Sequence, residues 1–366
     1  MRLLISGGGT GGHLSPALAV AQAFRAERPQ ADLLMVGKAG GLEEQLVPAA
    51  GFELEAIRIR GFDRDALLKN LALPTLLPAA LAHGMRVVDR FRPDVVLGVG
   101  GYVMAPAVAA AGLRRVPYVL QVSEARGLAN RMFRARATAA CVTFRGDVDS
   151  FKTPRTVLTG FPLRPGFERR TPEVPPRRLL VMGGSQGARH INEVVWSLLG
   201  DLLARFQEVV HLTGAQGQEQ AARLTRSGYR PIAFSSDMPK LLSGADLVVC
   251  RAGVGTCAEL TAVGLPAVLV PGTFGGAHQE RNADELVRTG AAVRIGDAEL
   301  TPQVLLRTLD ALDATQLSAM AAASAGLGRP HAARAIVRIL DEVAALPPRP
   351  RRVVGVGGRV GRPAST

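Results

Sequence analysis

The chain has 366 residues, of which 47% are apolar and only 4% aromatic, and a formal net charge of +13. That length exceeds one ordinary core, so two domains are expected, filled by Leu, Val and Ala rather than by rings. No run reaches the ~18 apolar residues of a membrane-spanning helix, and no signal-peptide pattern precedes Met1-Arg2-Leu3-Leu4-Ile5. The expected location is therefore cytoplasmic.

A basic balance leaves nucleic acid, an anionic membrane surface and acidic substrates open as partners. Scarce aromatics and the lack of a recognised motif argue against nucleic acid. Five of the positive charges (Arg349, Arg351, Arg352, Arg359 and Arg362) fall in 347–366, a Gly- and Pro-rich stretch without acids. Such a composition cannot bury a core and reads as a disordered basic tail. The cysteines Cys141, Cys250 and Cys257 form no CxxC pair and read as small buried hydrophobes.

In chain order, Leu3–Ser6 reads as a buried strand, followed by Gly7-Gly8-Gly9-Thr10-Gly11-Gly12-His13 and a helix from about Pro16. Asp32–Val36, Asp94–Gly98, Tyr118–Gln121 and Ala139–Thr143 are further strands, and a second glycine cluster spans Gly98–Gly101. Short apolar runs alternating with helical segments predict an α/β fold with a parallel sheet covered on both faces. Residues 159–176 hold five prolines and read as a linker. The pattern then restarts with a strand at Arg178–Met182, the turn Gly183-Gly184-Ser185-Gln186-Gly187, and a helix from about Ala188. Strands at Val209–Thr213, Leu247–Cys250 and Ala267–Val270 follow, and a helix near Ala332–Ala345 closes the folded part. The outcome is two doubly wound domains with a ligand cleft between them.

A glycine cluster between strand and helix lets the backbone approach a ligand while the helix N-terminus offers free N–H groups, a setting suited to a diphosphate. The bland alternative is a plain tight turn. Neither loop is a Walker sequence or a clean dinucleotide fingerprint. At a helix N-terminus His13 should have a depressed pKa, since the dipole disfavours imidazolium; neutral, it can take a proton from a sugar hydroxyl, or merely cap the helix. Cys250–Glu259 leads from a strand into another helix, where Glu259 can accept hydrogen bonds from a ribose diol or simply answer the helix dipole.

Several motifs in order carry a resemblance: Gly8-Gly9-Thr10-Gly11-Gly12-His13 with Pro16-Ala17-Leu18-Ala19, Gly98-Val99-Gly100-Gly101-Tyr102, and Thr159-Gly160-Phe161-Pro162-Leu163-Arg164. The second half adds 183–189, Asp237-Met238, 250–259, Gly264-Leu265-Pro266 and His278-Gln279-x-x-Asn282-Ala283. Over roughly residues 1–340 the chain resembles the MurG family, the N-acetylglucosaminyltransferases that convert lipid I to lipid II in bacterial cell-wall synthesis. The resemblance implies a GT-B fold of two Rossmann-like domains: 1–160 facing acceptor and membrane, a 161–176 linker, 177–346 binding the UDP-sugar, and the 347–366 tail. It implies UDP-N-acetylglucosamine as donor, undecaprenyl-linked muramoyl-pentapeptide as acceptor, no metal or other cofactor, and a peripheral place on the cytoplasmic membrane face. Carried over by position, Thr10, Gly11, Gly12, Ser123, Arg164, Ser185, Val254, Gly255, Thr256, Glu259, Gln279 and Asn282 are donor-site residues. Gly100, Gly101 and Tyr102 form acceptor or diphosphate loops, and His13 resembles the general base.

The chain departs from the family where His-Glu-Gln-Asn is usual after the strand at Tyr118. Counted back from Gly127–Asn130, the matching residues are Leu120-Gln121-Val122-Ser123, with Glu124 one position beyond as a substitute. Phe161 also replaces an asparagine. An apolar stretch with Lys69, Leu73, Leu76, Leu77 and Leu81, near Arg58, Arg60, Arg64, Arg86 and Arg90, fits a membrane-docking patch; the alternative is a core-facing helix with a basic rim. Rival functions are a GT-B enzyme with another acceptor, a UDP-N-acetylglucosamine epimerase, and a non-catalytic scaffold that binds donor or membrane.

Overall fold

A computed structural model of the chain describes residues 1–62, 70–71, 73–184, 187–224, 226–273 and 278–347. Ser185, Lys69, Arg64 and the tail from 348 onward therefore lie outside the described residues.

Strands β1 (Arg2–Ser6), β2 (Asp32–Lys38), β3 (Glu53–Ile57), β4 (Val95–Gly98), β5 (Tyr118–Val122), β6 (Ala139–Val142) and β7 (Thr156–Leu158) form the first sheet, in the order β3-β2-β1-β4-β5-β6-β7. The second contains β8 (Arg178–Met182), β9 (Glu208–Leu212), β10 (Tyr229–Ile232), β11 (Leu247–Cys250), β12 (Ala267–Leu269) and β13 (Ala292–Arg294), in the order β10-β9-β8-β11-β12-β13. Every pairing is parallel. Both sheets reverse direction beside their first strand, the doubly wound arrangement whose ligands bind at the switch point outside the strands' carboxyl ends.

Period-two alternation makes each sheet two-faced. Leu3, Ile5 and Leu97 pack with Val20 and Phe24 on one side of the first sheet, while Leu4, Val96 and Leu120 pack with Val88, Val108 and Ala111 on the other. The second sheet repeats this with Leu180 and Val248 on one face and Leu179 and Val249 on the other. All three cysteines are free and buried in these cores, and burial pushes the Cys141 thiol up to about 12.

Three expectations need correction. The first helix runs Gly11–Glu27, so it begins before Pro16 and carries that proline inside. Pro16 lacks the N–H that would bond the Gly12 carbonyl, so the helix forgoes one hydrogen bond in its second turn. The closing helix, Ala332–Ala344, follows the second sheet in sequence but packs on the first: Ile336, Val337, Leu340 and Val343 join the core of Leu3, Leu14 and Phe24. Arg28–Asp341 and Arg155–Glu342 ion pairs add to that seam. The 177–346 unit is thus interrupted by packing, because the closing helix's apolar stripe finds its counterpart on the Gly11–Glu27 helix. The third correction concerns 120–123: β5 continues to Val122, so Leu120 and Gln121 are wholly buried.

On the first unit, the Leu73–Phe91 helix buries Ala80, Gly84, Val87 and Val88. A Cβ at Gly84 would come within 2.6 Å of the Pro106 carbonyl oxygen, so glycine allows that close packing. Leu77 is half exposed; Leu73, Leu76 and Leu81 are partly buried, and Arg86 is exposed. Phe62 and Leu71 are more exposed still, at 64% and 76%. No helix among the described residues is long and apolar enough to cross a membrane.

Candidate active site between the two sheets

Both glycine clusters of the first unit sit at its switch point, after β1 and β4, and those of the second after β8 and β11. The loops after β1, β8 and β11 line one cavity of ≈ 530 Å³, while the Gly98–Gly101 cluster after β4 packs against the His13 ring instead. Gly11, Gly12, Ser15 and Glu124 form its first-unit wall; Gly184, Gly253–Thr256, Glu259, His278, Gln279 and Asn282 face them.

The Gly11–Glu27 and Val254–Val263 helices both begin at this cavity, and neither has an acid in its first turn. Their N-caps, Thr10 and Gly253, make no side-chain cap bond. Free N–H groups and two positive dipole ends therefore converge from opposite walls, which favours an anionic ligand.

His13, in the first turn of its helix, is partly buried, with Nδ1 3.0 Å from Thr10 Oγ1. Its ring lies over Gly100 and Gly101, whose φ values of 89° and 71° suit glycine; a Cβ on Gly100 would meet the imidazole at 2.8 Å. Tyr102 packs beside Gly9. The His13 pKa is lowered, but chiefly through burial rather than the helix dipole, and the negative charge of Glu124 opposes the shift. Neutral imidazole is thus the resting form near pH 7.

The Val254–Val263 helix places Glu259 in its second turn, beyond the strongest reach of the dipole. Desolvation pushes its pKa up to about 7, against the pull of Arg164. Arg164 is not among the cavity-lining side chains. Gln279 is oriented by accepting the Gly272 N–H at 2.9 Å, and Asn282 by donating to the Ala252 carbonyl at 3.0 Å. Phe161, where the family pattern has an asparagine, is buried and lines the cavity, near Gly255.

Ser123 is buried, donates to Gln121 Oε1 at 3.1 Å, and lines not this cavity but an adjoining pocket that shares Glu124, His278 and Asn282 with it. Glu124 does reach the cavity, and its carboxylate stands 3.6 Å from His278 Nε2 on the opposite wall. Two residues have no counterpart in the sequence reading. Phe234, 70% exposed at the cavity rim, offers a ring face to a planar base. Glu43, 1% exposed, sits under the first glycine loop. An exposed aromatic in so ring-poor a chain was a usable signal for Phe234; Glu43 gave none.

Comparisons with known proteins identify the family and the fold. The glycosyltransferase family 28 N-terminal domain matches residues 3–142, and the C-terminal domain of the same family matches 178–336. A UDP-N-acetylglucosamine–N-acetylmuramyl-(pentapeptide) pyrophosphoryl-undecaprenol N-acetylglucosamine transferase of Desulforudis audaxviator is 40% identical, over 94% of this chain and 99% of its own. The chain belongs to the MurG family. The enzyme of the same description from Anaeromyxobacter dehalogenans is also 40% identical, over 94% of this chain and 93% of its own. The crystal structure of MurG from Acinetobacter baumannii superposes with a TM-score of 0.76 at 27% identity, covering 93% of this chain and 99% of that one. As a MurG-family chain with this architecture it is a GT-B glycosyltransferase dependent on a UDP-sugar.

Proposed function

We propose that the protein transfers N-acetylglucosamine from its UDP donor to the 4-hydroxyl of undecaprenyl-linked N-acetylmuramoyl-pentapeptide. The observation that carries this choice of substrates is the likeness to transferases of that description over 94% of the chain. The cleft supports the chemistry. Glu259, Gln279 and Asn282 converge with a helix N-terminus on the second-unit wall, enough to hold ribose, sugar hydroxyls and diphosphate. His13 takes the proton of the attacking hydroxyl, the new O–C1 bond forms as the C1–O–P bond breaks, and inversion gives the β-1,4 linkage while UDP leaves. In this reading helix dipoles stabilise the leaving diphosphate without a metal ion.

The acceptor's lipid needs a surface from which to enter. Phe62, Leu71 and Leu77 are exposed on the first unit, as are Arg58 and Arg86, which supports peripheral docking on the anionic cytoplasmic face of the membrane. The test is incubation with labelled UDP-N-acetylglucosamine and the lipid acceptor in vesicles of rising anionic-lipid content. Label should enter the lipid phase, faster as anionic content rises. Donor binding without label in the lipid would leave this acceptor assignment wrong.

A further inference from the structure

Beneath the first glycine loop lies a charged group that the reaction as described does not use. Glu43 opens the Glu43–Ala49 helix and is 1% exposed. Its Oε1 accepts the Gly9 N–H at 2.5 Å. The space around this carboxylate is cleared by three glycines from three segments. A Cβ would come within 2.0 Å of it at Gly8 and 2.2 Å at Gly41, and within 2.8 Å of the Glu43 Cβ at Gly37. Burying a carboxylate is costly unless its oxygens are hydrogen-bonded, so a loop that conforms to one is held by it.

Gly9 precedes Thr10, whose hydroxyl meets His13, and the His13 ring rests on Gly100 and Gly101. A line of contacts therefore runs from the buried carboxylate through one backbone amide to the imidazole. The same bond has an electrostatic consequence. With the Gly9 N–H engaged and a carboxylate packed below, Gly7–Gly9 is poorly suited to a further anion, and the donor diphosphate belongs with the second-unit helix termini.

We infer that Glu43 is a positioning residue for the transfer step, fixing the first glycine loop so that His13 meets the attacking hydroxyl, without contributing to donor binding. This rests on the cleft being the transfer site. The ordinary alternative is a carboxylate that only anchors its helix to the sheet.

The test compares the full-length wild type with Glu43→Ala, Glu43→Gln and Gly41→Ala, measuring transfer kcat and KM, donor Kd by calorimetry, and melting temperature. Gly41 lies outside the loop, and a Cβ there meets the Glu43 carboxylate at 2.2 Å and, far less severely, the Lys38 carbonyl oxygen at 3.1 Å, so Gly41→Ala reaches the loop by displacing the carboxylate. Glu43→Ala and Gly41→Ala should lower kcat about 10- to 100-fold, while donor Kd stays within about twofold. Glu43→Gln, whose amide oxygen can accept the same bond, should keep kcat within about threefold. Wild-type kcat in Glu43→Ala or Gly41→Ala, equal losses in kcat and donor affinity, or a Gln variant as impaired as Ala would each overturn the inference. Wild-type turnover in the same assay is the separate control on the function itself.

Discussion

Glu259 is poised where a small change in pH alters its charge, because burial has raised its pKa from 4.5 to about 7. A carboxylate accepts from both hydroxyls of a ribose diol, whereas the acid gives up one of its acceptor oxygens to its own proton, so donor binding favours the ionised form and draws off the proton below that pH. The affinity for UDP-N-acetylglucosamine should therefore fall as pH drops from about 7, by as much as about tenfold per unit, and level off above it. Calorimetry across pH 5.5–8 (about that range) checks the slope, and Glu259→Gln should flatten it. A wild-type profile as flat as the variant's would remove Glu259 from the ribose. The same raised pKa makes the ionised group a burden on the free fold: its contribution to stability is full below 4.5 and is lost as pH rises through about 7. At this scale glycine clusters and the Glu259 helix were legible, since strand, glycines and helix start follow in unbroken order. Glu43 was not, because a Glu-Glu pair opening a helix looks solvated until the fold closes over one of them.

Of the thirteen strands among the described residues, nine coincide with the strands expected from the sequence, and the four not expected are β3, β7, β10 and β13. Those four are the edges of the two sheets. An edge strand is covered less completely, so Glu53–Ile57 and Tyr229–Ile232 carry exposed Glu53, Arg230 and Pro231 and never show a continuous apolar run. The closing helix was legible as a helix but not in its allegiance, since amphipathicity names a buried face without naming its partner. Its packing carries a prediction. Leu340 is fully buried against the first-unit core, so Leu340→Ala should cost about 2–5 kcal/mol in denaturant unfolding. A change within about 0.5 kcal/mol, as at an ordinary surface position, would mean that the helix is not part of that core.

The molecule as a whole divides its labour across the cleft. The first unit presents the exposed apolar residues, and Gly11, Gly12 and Ser15 at the start of the helix that carries His13; the second presents Glu259, Gln279, Asn282 and Phe234. Two Rossmann-like halves were readable from the repeated order of strand, glycine loop and helix, but the contact between Glu124 and His278 across the cavity was not, since nothing in either segment refers to the other. The division of labour is the central claim, and His13→Ala tests it most directly. Its single-turnover transfer rate and its donor Kd are to be measured on one preparation. The rate should fall at least ~100-fold with Kd unchanged within about twofold. A variant that transfers at the wild-type rate, or that loses donor affinity in step with rate, would contradict it.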